Sequence, residues 1–275
     1  MSKVPHKEMS FLDHLEVLRW HLIRSSTAIL IFATVAFIFK EFIFDTLLLA
    51  PTKLDFYTYD IMCKISKFFT ADGACIDELP FTLQSLGMSE QFSIHIWVSI
   101  TAGIIVSFPY IIWEIWQFIS PGLYKKERKY AVGFILVSSM LFFMGVLFGY
   151  YVITPLSVNF LGNYSISDTV NRNFQIGSLI SIVKSSVLAA GLMFELPVII
   201  FFLSKMGLVT PDFLRTYRKH AIVVVLILAA IITPPDIISQ IIVTIPVIIL
   251  YEISILIARI VYNQEQKELG MIKKK

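Results

Sequence analysis

The sequence predicts an all-α polytopic membrane protein, a concave bundle of six transmembrane helices with the fifth and sixth short and both termini cytoplasmic. Three observations predict it. Hydrophobic residues fill 56% of the 275 positions and charged residues 16%, with mean hydropathy +0.76; a soluble domain usually carries about 25% charged residues. Six stretches are apolar enough to be read as membrane helices. Lys and Arg gather on alternate connections between them.

The first span is read as Ser25–Phe44, with Lys40 and Glu41 near its end. Before it comes "SFLDHLEVLRWHLIRS", Ser10 to Ser25. Ser10 or Asp13 caps a helix start there. Leu15, Leu18 and Leu22 form an apolar stripe with Glu16 and Arg19 on a neighbouring face, as in an interfacial amphipathic helix. The second span is Phe92–Trp113, and the third is Tyr130–Ile153, without charge. The fourth is Ile176–Leu203, holding Lys184 and Glu195. The fifth is Ala221–Thr233, 13 residues and about 20 Å of helix. The sixth starts after Asp236 and ends between Tyr251 and Ala258, with 15 residues from Ile237 to Tyr251 before Glu252. Both are shorter than a hydrocarbon core of about 30 Å, so local bilayer thinning is expected around them. The alternation of a membrane barrel is missing, and backbone groups in lipid must pair internally, so the spans are helices.

Orientation follows from the cations. Lys3, Lys7, Arg19 and Arg24 precede the first span. Lys125, Lys126, Arg128 and Lys129 follow the second, and Lys205, Arg215, Arg218 and Lys219 follow the fourth. Arg259, Lys267, Lys273, Lys274 and Lys275 follow the sixth, while the other connections hold Lys53, Lys64, Lys67 and Arg172. The richer side is cytoplasmic. The chain then reads as one membrane domain over 1–275. Residues 1–24 and 260–275 are cytoplasmic tails, 119–129 and 204–220 cytoplasmic loops, and 45–91 an outer loop. No cleavable signal is visible, because no small-residue site follows the first apolar run. The net charge of +3 reflects this topology and not a nucleic-acid surface.

The sequence lacks a G-x-x-x-x-G-K-[ST] phosphate loop, an H-E-x-x-H helix and a G-x-S-x-G elbow, so no enzyme and no cofactor is read from it. His14 and His21 are seven apart on one helix, but without further ligands they make no metal site. Both cysteines, Cys63 and Cys75, fall in the outer loop, where an oxidising compartment permits a disulfide. Spacing alone does not distinguish a bridge from two free thiols.

Three polar features stand out in the apolar background. "FISPGLYKKERKY" puts Glu127 among four cations, and by itself this is a positive-inside loop with an incidental acid. "IITPPDIISQ" ends the fifth span at Pro234-Pro235 and caps the sixth with Asp236. Gln240, one turn further on, needs a partner for its amide. "GLMFELPVII" places Glu195 two residues before Pro197. A charge near the bilayer centre costs at least about 2.5 kcal/mol, and Pro197 removes the bond to the Met193 carbonyl and loosens the helix. Glu195 therefore either bonds to a neighbouring helix in its protonated form or lines a concave, accessible face. Lys184, about 16 Å away along the axis, is too far to pair with it and snorkels to the outer surface.

Together, "DHLEVLR", "PGLYKKERK", "FELP" and "TPPDIISQ" resemble TatC, the multi-spanning receptor subunit of the twin-arginine protein translocase. They stand in that family's order and topological positions, between Ser10 and Arg259. The resemblance implies a receptor for signal peptides with two consecutive arginines. It implies single-span TatA-like and TatB-like partners, export of folded proteins and a proton-motive drive, and it leaves self-association open. Its acids at the cytoplasmic face carry over to Glu127. At the N-terminus the family's glutamate position holds Val17, and Glu16 lies one residue earlier, about 100° around the helix; Arg19 matches. The resemblance also favours Glu195 as an intramembrane contact for a partner helix; Gln240 and Asp236 are candidates for partner or intramembrane polar contacts. The alternatives are an ion-coupled small-molecule transporter using Glu195 and Lys184, and a structural membrane scaffold.

Overall fold

The computed structural model describes residues 11–68, 81–120, 131–167, 173–233 and 236–268. Its elements are ten α-helices, two short strands and three tighter or wider helical turns, so the chain is an all-α membrane protein. Backbone contacts divide it into two compact units, residues 1–40 with 95–140 and residues 41–94 with 141–275.

The first unit is built on α1 (Phe11–Ile38) and α3 (Glu90–Ile119), which run antiparallel. At one end His21 meets Glu114; at the other, His95 hydrogen-bonds the Phe37 carbonyl at 3.0 Å and stacks on the Phe37 ring. Between these ends the backbones touch. A Cβ on Gly103 would come within 2.6 Å of the Ile29 carbonyl and 2.8 Å of the Ala33 amide. Small residues replace hydrophobic driving force as the means of helix contact in lipid, where apolar side chains are equally at home outside. At the far end of α3, Trp116 is buried and stacks on Phe134 of α4 (Ala131–Phe148).

The second unit carries the remaining helices. After α4 the chain makes a π turn, Gly149–Ile153, and continues as α5 (Thr154–Asn163). Gly145 and Gly149, four residues apart, seat this segment directly on α6 (Ile176–Phe194) at Ala190 and Ser186. A break at Glu195 separates α6 from α7 (Leu196–Lys205). A short α8 (Pro211–Thr216) leads to α9 (Arg218–Ile232), which returns to α10 (Ile237–Glu268). Apolar clusters join them: Ile153, Ala190, Ala229 and Val243; Met193, Val225 and Val247; and Ile200, Leu214, Tyr251, Ile255 and Ala258.

The segment before α3 is packed and hydrogen-bonded where it is described. It contains α2 (Tyr57–Phe68) and β1 (Thr82–Gln84), which pairs in parallel with β2 (Asn173–Gln175). Phe56 is buried between Tyr59, Tyr150 and Tyr151. Tyr59 donates to the Pro51 carbonyl at 2.6 Å, Thr58 to that of Tyr151 at 2.6 Å, and Tyr150 to that of Leu47 at 2.7 Å. Glu90 gathers the amides of Leu86, Gly87 and Gly177 and the hydroxyl of Ser85, tying the start of α3 to the start of α6. Cys63 is disulfide-bonded; Cys75 lies outside the described residues.

Several expectations need correction. The short sixth helix is overturned: α10 is 32 residues long. Glu252 looks like an end in the sequence, but Arg218 holds it at 2.8 and 2.9 Å, and the helix passes through it. Among the described residues five helical segments are long and apolar enough to cross a membrane by themselves, while α9, with 15 residues, is as short as the fifth span was expected to be. The third span reaches Asn163 and not Ile153, since the π turn lets Pro155 enter at the start of α5 without ending the helix. The amphipathic segment and the first span are one unbroken helix, α1. Of the expected stripe Leu15 and Leu22 are exposed and Leu18 is half-buried, as are Val17 and His21.

Candidate functional site

The predicted site residues fall in both units. In the first, α1 carries Glu16 and Arg19, both exposed and 3.7 Å apart. Three residues of separation set them on one helix face, and such an exposed pair is held only weakly. Glu127 lies outside the described residues, in the segment 121–130 that follows α3.

Beside this face is a cluster that sequence reading misses. Glu114, only 1% exposed, accepts hydrogen bonds from His21 Nδ1 at 2.5 Å and from the Tyr110 hydroxyl at 2.7 Å. Arg24 Nη1 is 4.0 Å from the same carboxylate. His21 and Arg24 are three apart on α1, and Tyr110 is one turn from Glu114 on α3. Both helices therefore present neighbouring positions to a single acid. The His21 ring also sits edge-on to Phe118. A signal was present: "YIIWEIWQF" holds one carboxylate among aromatics, the same pattern that singled out Glu195. Ending the second span at Trp113 leaves Glu114 outside it, whereas the helix continues to Ile119.

In the second unit the structure gives three different roles to the three intramembrane residues. Asp236 caps α10, accepting the amide of Ser239 at 2.8 Å and its hydroxyl at 2.7 Å. Gln240 donates to the Leu226 carbonyl of α9 at 3.1 Å, and Thr244 donates to the Gln240 carbonyl at 2.7 Å. Glu195 stands at the break between α6 and α7, 5% exposed. Its amide bonds back to the Leu192 carbonyl and its own carbonyl receives the amides of Val198 and Ile199, so the chain turns there where Pro197 lacks an N–H. Lys184 is half-buried on α6. Ser204 on α7 and Ser239, Thr244 and Ser254 on α10 are also buried. Such polar groups are costly in lipid and belong on protein-facing surfaces.

These features define a polytopic helical membrane protein with acids and amides set into its spans, where lipid alone disfavours them. The comparisons narrow the class. The family model described as Sec-independent protein translocase protein (TatC) matches residues 13–246. A TatC from Blattabacterium sp. subsp. Periplaneta americana is 41% identical over 253 residues, 91% of this chain and 95% of that protein. TatCy of Bacillus subtilis is 33% identical over 267 residues, 97% of this chain and 95% of that one. A solved structure described as the twin arginine translocase receptor TatC superposes with TM-score 0.68 at 32% identity, covering 90% of this chain and 99% of its own. The chain belongs to the TatC family of Sec-independent protein translocase proteins.

Proposed function

We propose that this protein is the signal-peptide receptor subunit of a twin-arginine translocase in the cytoplasmic membrane, with both termini on the cytoplasmic side. In this reading Glu127 is the principal acid for the arginine pair, assisted by Glu16 and Arg19. TatA-like and TatB-like helices approach the membrane polar groups Glu195 and Gln240, and the proton-motive force drives export of folded cargo. The observation that carries it is the extent of the family match: residues 13–246 include all four motif stretches, from "DHLEVLR" to "TPPDIISQ". The chemistry supports it as well. Guanidinium and carboxylate groups fit in bidentate geometry, and exposed pairs are individually weak, so recognition needs several acids together.

The test is photo-crosslinking of the full-length protein in membranes to a signal peptide with Arg-Arg, compared with its Lys-Lys version. The Arg-Arg peptide is expected to crosslink strongly and the Lys-Lys version weakly. Glu127→Ala should abolish the crosslink while leaving the protein inserted, and Val17→Glu should not weaken it. Unchanged crosslinking in Glu127→Ala removes Glu127 from the site, and equal crosslinking of the two peptides removes the receptor reading.

A further inference from the structure

We propose that the His21–Glu114 contact sets the rotation of α1 about its own axis, and so holds Glu16 and Arg19, in place of Val17, on the accessible face of the helix. The proposal rests on the signal-peptide reading above and names positioning residues for it; neither His21 nor Glu114 is assigned contact with the peptide.

The need for such a device follows from the helix itself. Neighbouring residues on α1 are 100° apart, so a rotation of one residue exchanges Glu16 and Val17. A charge-assisted bond to guanidinium works at about 2.7–2.9 Å, and a 100° error carries a carboxylate well beyond that. Burial of apolar surface alone is non-directional and does not single out one azimuth. Midway along the α1–α3 seam, Gly103 seats the backbone of α1 at Ile29 and Ala33, eight and twelve residues beyond His21. The His95–Phe37 bond is directional, but it lies 16 residues from His21, about 24 Å along the axis.

The geometry at His21 meets the need. Val17, His21 and Arg24 follow the i, i+4, i+7 spacing of one helix face. His21 and Arg24 both reach Glu114, which is buried and is held from its own helix by Tyr110. Val17 is half-buried on the same face, while Glu16 and Arg19 are exposed. A hydrogen bond from an imidazole to a buried carboxylate is angularly demanding, so α1 is fixed there at one azimuth, five residues from Glu16.

Single cysteines placed at 16 and at 17 in the full-length protein report the azimuth without any peptide, through labelling by a membrane-impermeant maleimide. Position 16 should label at least about fivefold faster than 17. Glu114→Leu should bring the two rates together, and Glu114→Gln, which keeps an acceptor for His21, should restore the difference. His21→Phe, which keeps the ring packing on Phe118 but removes the donor, should repeat the Glu114→Leu result if that variant does not fold. In parallel, Glu114→Leu should lower crosslinking of the Arg-Arg peptide at least about fivefold. The rotational proposal is overturned if Glu114→Leu and His21→Phe keep the wild-type labelling ratio. If the ratio collapses while the wild-type protein does not distinguish Arg-Arg from Lys-Lys, the receptor reading has failed and the positioning contact stands.

Discussion

Two buried carboxyl groups, Glu114 and Glu195, sit in similar apolar surroundings and are accommodated differently. Glu114 is surrounded by donors from two helices. Glu195 is set at a helix break, where the turn of the backbone around Pro197 brings it between α6 and α7. The proposed contact of a partner helix with Glu195, which is 5% exposed, requires this joint to open. Glu195→Gln should keep most of the export activity, since the amide still hydrogen-bonds in place. Glu195→Leu should impair recruitment of a TatA-like partner, read by co-purification, while leaving signal-peptide crosslinking intact. Export of folded cargo at the wild-type rate by the leucine variant would remove Glu195 from that role. At Tyr59, outside the spans, burial pushes the phenol well above its ordinary value of about 10. A raised folded-state value favours the protonated form, so this contribution is complete below about pH 10 and lost as pH rises above it. Tyr59→Phe deletes the bond to the Pro51 carbonyl. It should lower stability by about 1 kcal/mol at neutral pH and flatten the alkaline loss, both read from thermal melts in detergent.

At the level of elements, the end of α4 and the π turn after it pack backbone to backbone on α6 in one seam. A Cβ on Gly145 would lie 2.5 Å from the Ala190 carbonyl, and one on Gly149 2.6 Å from that of Ser186. Gly145→Ala or Gly149→Ala should therefore cost about 1–3 kcal/mol, the usual range for forcing extra atoms into a packed contact. A Cβ on Gly133, also on α4, would meet nothing within 4 Å. Gly133→Ala should be neutral or slightly stabilising, because alanine is the better helix former. Equal melting shifts for the three variants would contradict the seam. The apolar stretches alone were enough to read the spans in α1, α3, α4 and α6–α7. The ends of helices were harder to read. Glu252 and Glu114 look like boundaries in the sequence because a lone charge normally marks the edge of a span. Both are inside helices because groups distant in sequence, Arg218 for one and His21 for the other, bond to them. Nothing local to "LYEIS" or "WEIWQ" reveals those partners. The parallel strand pair was equally hidden, since three residues at 82–84 meet three at 173–175 with no alternating pattern long enough to detect.

For the whole molecule, the length of α9 sets a mechanical constraint on the bilayer. After Arg218, Lys219 and His220 its apolar run is Ala221–Ile232, about 18 Å, against a hydrocarbon core of about 30 Å. Helix α10 is about 48 Å long, yet it does not relieve the mismatch. The Arg218–Glu252 pair fixes a charged level on α10 only about 22 Å from its start at Ile237. Beyond that level Ile255 and Ala258 are packed on Ile200 and Leu214, so the rest of the helix is engaged with protein. The membrane is therefore expected to thin beside α9, at a cost of a fraction of a kcal/mol per ångström of mismatch. The protein should melt at the highest temperature in bilayers of short acyl chains, about 14 carbons, and progressively lower as chains lengthen to about 20. Inserting one apolar turn, Leu-Leu-Ala-Leu, after Val225 adds about 6 Å and should move that optimum toward thicker bilayers. Replacing Glu252 with leucine leaves Arg218 without its carboxylate and should lower stability at every thickness, without moving the optimum. A melting temperature independent of acyl length in the wild-type protein would show that the bilayer does not thin around α9.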